Sequence, residues 1–330
     1  MEENTNPTIP KKFSEIKHKK VSVNGIKIHI AEMGESYKGT VLFLHGYPEL
    51  WYSWRHQLLS LSTAGYRAVA PDLRGYGDSD APPSAADYTA LHVVGDLVAL
   101  LDYLVVGKVF LVGHDWGALI AWNLCLLRPD RVKALVNLSV PFTGRNPDKR
   151  PVQKYREAFG DDFYICRFQE PGVMEKEYDE IDTEKLIKFC FALKDTRVPI
   201  IRPGALKEAV EKPIPLPPWL SEEDVKYYAD TFKKTGFTGG LNYYRNLDLN
   251  WELMAAWTGS QIKVPVQFIM GDQDLTYNFP GMKDYIHKGG FRRDVPLLED
   301  VIILEGAGHF INQEKKEEIN KHIQNFFDKF

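Results

Sequence analysis

The chain has 330 residues, 44% of them hydrophobic and 26% charged, with a formal net charge of −4. That length suits one large domain or a domain carrying a sizeable insertion, and the apolar share suits a packed core. The slight acidity gives no electrostatic footprint for nucleic acid, and no stretch reaches the roughly 18 uninterrupted apolar residues of a membrane helix.

In chain order, the first signal is "HKKVSVNGIKIHIAEMG", where apolar and polar residues alternate around Asn24-Gly25. This predicts a β-hairpin with a tight two-residue turn. "TVLFLHG" reads as a fully buried strand, residues 53–64 as a helix, and "YRAVAP" as another buried strand. A polar Gly/Pro-rich loop covers 72–83, and a long amphipathic helix follows over 89–104. Then come a strand "KVFLVG", a helix "GALIAWNLCLL" and a strand "VKALVNLSV". Strict alternation of this kind predicts an α/β fold: a mostly parallel sheet with helices on both faces. Ligands in such sheets bind beyond the carboxyl ends of the strands. His45, Asp72, Asp115 and Pro141 each stand just past a strand, so all four are expected to converge on one region.

The pattern breaks after Pro141. Residues 142–257 are helix-like and aromatic, with Ser221 a predicted N-cap after a Pro-rich stretch. Strands return in "KVPVQFIMGDQD" and "LEDVIILEGAGH", and an amphipathic helix closes the chain. The expected organisation is a core of residues 1–141 and 258–330 with a helical lid, 142–257, inserted in it. Cys125, Cys166 and Cys190 have neither metal nor redox spacing, which points to a reducing compartment. The first residues lack the apolar core of a signal peptide, so a cytoplasmic protein is expected. Asn137-Leu-Ser139 matches a glycosylation triplet but falls in an apolar strand and reads as incidental.

The chemistry centres on Gly113-x-Asp115-x-Gly117, between a strand and a helix. This has the form of a nucleophile elbow, with Asp where Ser is usual. The bland alternative is that Asp115 merely caps the helix. Asp274 and His309 each follow a later strand, so the chain order is nucleophile, acid, histidine. Asp272 rivals Asp274 as the acid, and spacing favours Asp274 without deciding the matter. A carboxylate nucleophile is already ionised at neutral pH and attacks an sp3 carbon bearing a leaving group. His309, oriented by Asp274, would then activate water against the resulting ester. The backbone N–H groups of Trp116 and Tyr47 are the candidate oxyanion donors. A strained epoxide oxygen needs an acid as it leaves, and a tyrosine hydroxyl fits that role.

These residues resemble the soluble epoxide hydrolases of the α/β-hydrolase fold, and in detail their plant branch. The resemblance spans nearly the whole chain. It is carried by HGYPELWYSWR (45–55), PDLRGYGDSDAP (71–82), GHDWGA (113–118), YICRFQEPG (164–172), GGLNYYRNLDLNWEL (239–253), GDQDL (271–275) and EGAGHF (305–310). It implies that Asp115 is the nucleophile, that Asp274 rather than Asp272 pairs with His309, and that Tyr164 and Tyr244 are the lid acids. It further implies a place for Glu49 and His114 in a water and proton network. It implies no cofactor, no metal, a small lipophilic epoxide as substrate, and a monomer or homodimer.

Two dehalogenase readings are weaker. Haloalkane dehalogenases typically carry Asn where this chain has Tyr47, and fluoroacetate dehalogenases typically follow the nucleophile with Arg, where Trp116 and Gly117 stand here. A non-catalytic hormone receptor on the same fold is the alternative from another class. The complete set of Asp115, Asp274, His309, Tyr164 and Tyr244 favours a working enzyme.

Overall fold

Eight strands follow from the apolar patterns. The computed structural model describes residues 9–192, 194 and 196–330. In it β1 (Lys17–Val23) and β2 (Ile26–Met33) flank Asn24 and Gly25, whose φ angles of 49° and 80° make the tight turn. Then come β3 (Thr40–Leu44), β4 (Arg67–Pro71), β5 (Val109–His114), β6 (Val132–Leu138), β7 (Val266–Gly271) and β8 (Leu298–Leu304). They form one sheet in the order β1-β2-β4-β3-β5-β6-β7-β8. The hairpin is antiparallel and every neighbour pair from β4 onward is parallel. β3, β5 and β7 are buried along their whole length, as unbroken apolar runs require when helices cover both faces.

Three helices matter most: α1 (Arg55–Thr63), α2 (Ala90–Tyr103) and α3 (Trp116–Leu127). The predicted start of α1 shifts, because a tight 3-10 turn over Trp51–Trp54 precedes it. Those four side chains are all buried, and the Trp51 N–H is held by Asp72 Oδ1 at 2.9 Å, so the chain coils more tightly there. α2 begins at the predicted helix start, with Thr89 as its cap: the Thr89 hydroxyl accepts from the His92 N–H. α3 lies against β3, β5 and β6, and the fit is close: a Cβ on Gly117 would sit 2.0 Å from the Leu44 carbonyl oxygen. Asn137 is wholly buried on β6 and donates to the Ala118 carbonyl, which removes it as a glycosylation acceptor.

Between β6 and β7 the chain makes a run of helices, from Pro151–Phe159 to Leu247–Leu253. Within it, Ser221 caps the helix Glu222–Thr235 in a reciprocal box with Asp224. This helical run is bonded into the core through buried polar contacts. Asp224 accepts from the Tyr52 hydroxyl at 2.8 Å and pairs with the buried Arg55 guanidinium at 3.2 Å. Tyr228 meets Ser53 at 2.7 Å, and Tyr227 accepts from the Trp51 indole at 2.9 Å. No helix among the described residues is long and apolar enough to cross a membrane.

The Gly117 contact gives a test of the fold. Gly117→Ala must push α3 off β3, so it should lower stability by about 3 kcal/mol. The shift in urea midpoint at unchanged slope measures this, and a midpoint like that of the parent protein would contradict the close packing.

Candidate active site

The strand β5 ends at His114, and the next residue turns the chain sharply. Asp115 has φ 52° and ψ −119°, a region L-residues seldom occupy, and its side chain makes no capping bond to α3. The capping alternative therefore fails, and the side chain points out of the turn. Glycine makes the turn possible on both sides. A Cβ on Gly113 would lie 2.6 Å from both the Asn137 side chain and the Gly117 carbonyl, and one on Gly46 would lie 2.4 Å from Asp115. The bare Gly46 lets the loop after β3 approach, so the Tyr47 N–H donates to Asp115 Oδ1 at 2.8 Å. The Trp116 N–H stands at the first position of α3, where the helix itself supplies no acceptor.

His309 lies on the loop after β8. Its Nε2 is 3.3 Å from Asp115 Oδ2, and its Nδ1 is 3.0 and 2.9 Å from the two oxygens of Asp274. Asp274, on the loop after β7, is completely buried. Asp272, its rival, instead accepts from the Gly306 N–H at 2.8 Å. Burial alone would depress His309. The Asp274 charge and the bonds to both carboxylates outweigh it and hold the imidazole well above its ordinary range. Burial would likewise raise Asp274, but His309 and Thr276 hold it below the usual carboxylate range.

Tyr164 and Tyr244 come from the helical segment, and their rings lie 6.0 Å apart. The Tyr244 ring packs edge-on against Trp116 at 4.8 Å, the residue next to Asp115. Burial, and then the Asp115 charge, push both hydroxyls well above the ordinary tyrosine range. Both are therefore firmly protonated. The other tyrosines of the segment are committed elsewhere: Tyr227 to Trp51, Tyr228 to Ser53, and Tyr243 to the Arg74 carbonyl at 3.0 Å. Tyr178 accepts from the Tyr47 hydroxyl, and Tyr155 packs on Phe163.

Behind the triad, His114 Nδ1 sits 2.6 Å from Glu49 Oε2, with both side chains fully buried. The other ring nitrogen of His114 is 2.8 Å from the His309 carbonyl. Burial would raise Glu49, yet the His114 charge, with bonds from Ser53 and the Gly46 N–H, lowers it to about 2. His45 and Asp72, also at strand ends, spend their polar atoms on neighbouring loops. Asp72 holds His29 and the Trp51 N–H, and His45 accepts from the Leu73 N–H. They brace loops, because a buried charge or imidazole needs all its partners locally. Two residues the sequence reading missed also touch the triad. Ser139 Oγ donates to the His309 carbonyl, and the Thr276 N–H donates to Asp274 Oδ1. The available signal was the Asp-x-Thr spacing of an Asx turn.

The pattern of the family described as alpha/beta hydrolase fold matches residues 39–178. The chain is 60% identical to epoxide hydrolase 3 of Siraitia grosvenorii over 318 residues, which is 96% of this chain and 100% of that one. It is 58% identical to the crystal structure of an epoxide hydrolase from Vigna radiata, with a TM-score of 0.92 over 96% of this chain and 100% of that chain. Potato (Solanum tuberosum) epoxide hydrolase I is 54% identical, with a TM-score of 0.91 and the same coverage. The chain belongs to the epoxide hydrolases. It is thus a hydrolase acting on an ether bond, on the α/β-hydrolase fold, with plant proteins among its relatives.

In this epoxide hydrolase the neighbouring residues Tyr243 and Tyr244 give an internal control. Tyr244→Phe should slow epoxide opening about tenfold or more, and with Tyr164→Phe added by about a thousandfold. Tyr243→Phe should cost about 1 kcal/mol of stability and leave opening within about twofold. Single-turnover rates and melting curves on the three variants measure both.

Proposed function

We propose that this chain opens epoxides through an ester on Asp115, in two half-reactions. The observation that carries the reading is Asp115 itself: a carboxylate at a strained elbow, with the Tyr47 N–H on one oxygen and His309 on the other. In the first half-reaction an Asp115 oxygen bonds to an epoxide carbon as the carbon–oxygen bond breaks. Tyr164 or Tyr244 gives the departing oxygen a proton, leaving a tyrosinate and a hydroxyl on the substrate. Esterification removes the Asp115 charge, and with it part of what holds the proton on His309. His309 thus becomes a base only once there is an ester to cleave, and the proton it releases equals the one the tyrosinate lacks.

In the second half-reaction His309 takes a proton from water as the water oxygen bonds to the Asp115 carboxyl carbon. The Tyr47 and Trp116 N–H groups receive the oxyanion. Collapse breaks the bond from that carbon to the substrate oxygen. The alkoxide takes the carboxyl proton and leaves as the vicinal diol, and His309 is again protonated beside the Asp115 carboxylate. Glu49 and His114 support the His309 loop and extend the proton network behind it. We assign 142–257 as the lid. Its aromatic face, Phe168, Phe237 and Tyr244 gathered around Tyr47 with Tyr164 against Phe168 and Tyr244, suits a lipophilic epoxide of fatty-acid, terpenoid or aryl type. The free thiols of Cys125, Cys166 and Cys190 fit a cytoplasmic protein.

A single turnover with excess enzyme on trans-stilbene oxide in oxygen-18 water tests the reading. The diol should carry ordinary oxygen at both hydroxyls, because the new one comes from Asp115. Heavy oxygen in the diol would mean direct attack by water. In parallel, His309→Gln should accumulate the ester, seen as added mass on the intact protein, while releasing almost no diol.

A further inference from the structure

Ser139 stands one residue past the end of β6. Its φ is +66°, and the Val140 N–H folds back to the Leu138 carbonyl at 2.8 Å, so Ser139 sits at the centre of a γ-turn. That geometry is costly for a residue with a side chain and persists only where its surroundings impose it. Every polar group of Ser139 is used. Its N–H donates to the Ile269 carbonyl of β7 at 2.9 Å. Its hydroxyl donates to the His309 carbonyl at 2.9 Å, and its own carbonyl accepts from the Thr276 hydroxyl at 2.6 Å. The Thr276 oxygen is also 2.9 Å from Asp274 Oδ1, to which the Thr276 N–H donates at 2.9 Å. A hydroxyl has one proton, and both of these neighbours are acceptors. Thr276 therefore shares that proton between the β6 turn and the acid of the triad.

We infer that Ser139 and Thr276 are positioning residues, a clamp that fixes the His309 backbone and the Asp274 carboxylate relative to each other for ester hydrolysis. The inference rests on the two-step reading above. One strained residue ties together the ends of β6 and β7 and the loop after β8, so neither partner of the His309–Asp274 pair can drift alone. The epoxide-opening step uses Asp115 and the tyrosines, none of which the clamp touches. Its effect is therefore confined to the second half-reaction. The titratable groups around the pair are Asp115 at the elbow, His114 with Glu49 behind it, Tyr164 and Tyr244 from the helical segment, and Glu314 with Lys194 at the back of the loop. Substitution at 276 replaces none of these.

Thr276→Val keeps the shape and the N–H bond but removes the hydroxyl donor. More negative charge then remains on the Asp274 oxygens that face His309, which tightens its hold on the proton. Rapid-quench kinetics on trans-stilbene oxide, following the ester by intact mass across pH, separates the steps. In Thr276→Val, ester formation should stay within about twofold, while ester breakdown slows about tenfold and its acid limb moves to higher pH. Thr276→Ser should restore both the rate and the limb. Ser139→Ala keeps a side chain in the strained turn and removes only the hydroxyl, so it should slow breakdown alone. Breakdown at the parent rate in Thr276→Val would overturn the clamp. So would an equal fall of both steps with an unmoved limb, since that marks general loosening. If the parent protein forms no ester at all, the two-step reading fails first, and the clamp with it.

Discussion

The site depends on one backbone turn. Asp115 is held at a positive φ between β5 and α3, and the strain is tolerated because its surroundings leave no alternative. Gly113 and Gly117 let strand and helix close to contact, and Gly46 lets a second loop come within hydrogen-bond reach of the carboxylate. A side chain at any of these glycines would collide with the backbone or side chains that set the Asp115 turn. The turn also converts a good capping residue into a reagent, because Asp115 spends neither oxygen on the helix that follows it.

The electrostatics follow from placing that carboxylate at the edge of a buried region. Burial, and then the Asp115 charge, hold the protons on Tyr164 and Tyr244, and the Asp274 charge together with Asp115 holds the one on His309. In the proposed mechanism these are the groups that release protons, and the loss of the Asp115 charge on esterification would change them together. Asp274 and Glu49 are the constant charges. Each is buried, each faces a histidine, and each is held low by it, so neither competes for the protons that move.

What the sequence made legible was whatever has a short-range cause. The Asn24-Gly25 turn, the buried strands, the Ser221 cap and the elbow all sit within a few residues of their own signals. The chain order of Asp115, Asp274 and His309 was legible because each follows a strand. The lid acids were not readable from composition, since 16 tyrosines share the chain. Only the fold reveals that Tyr227, Tyr228 and Tyr243 spend their hydroxyls on core partners. The same limit explains His45 and Asp72, which occupy strand ends yet brace loops, and Ser139, whose role depends on residues far along the chain. Partners distant in sequence leave no local pattern.

The helical run interrupts the sheet between β6 and β7, and this has a consequence for how the molecule is made. Asp115 belongs to the part of the sheet that precedes the interruption, and Asp274 and His309 to the two strands that follow it. During synthesis the carboxylate is in place long before its base. β7 must then find β6 across the whole intervening segment, a loop closure of high contact order that slows folding. On the proposed mechanism, an incomplete chain holds a nucleophile that could be alkylated but not released. Turnover, as distinct from reactivity, would then begin only when β7 and β8 have added to the edge of the sheet.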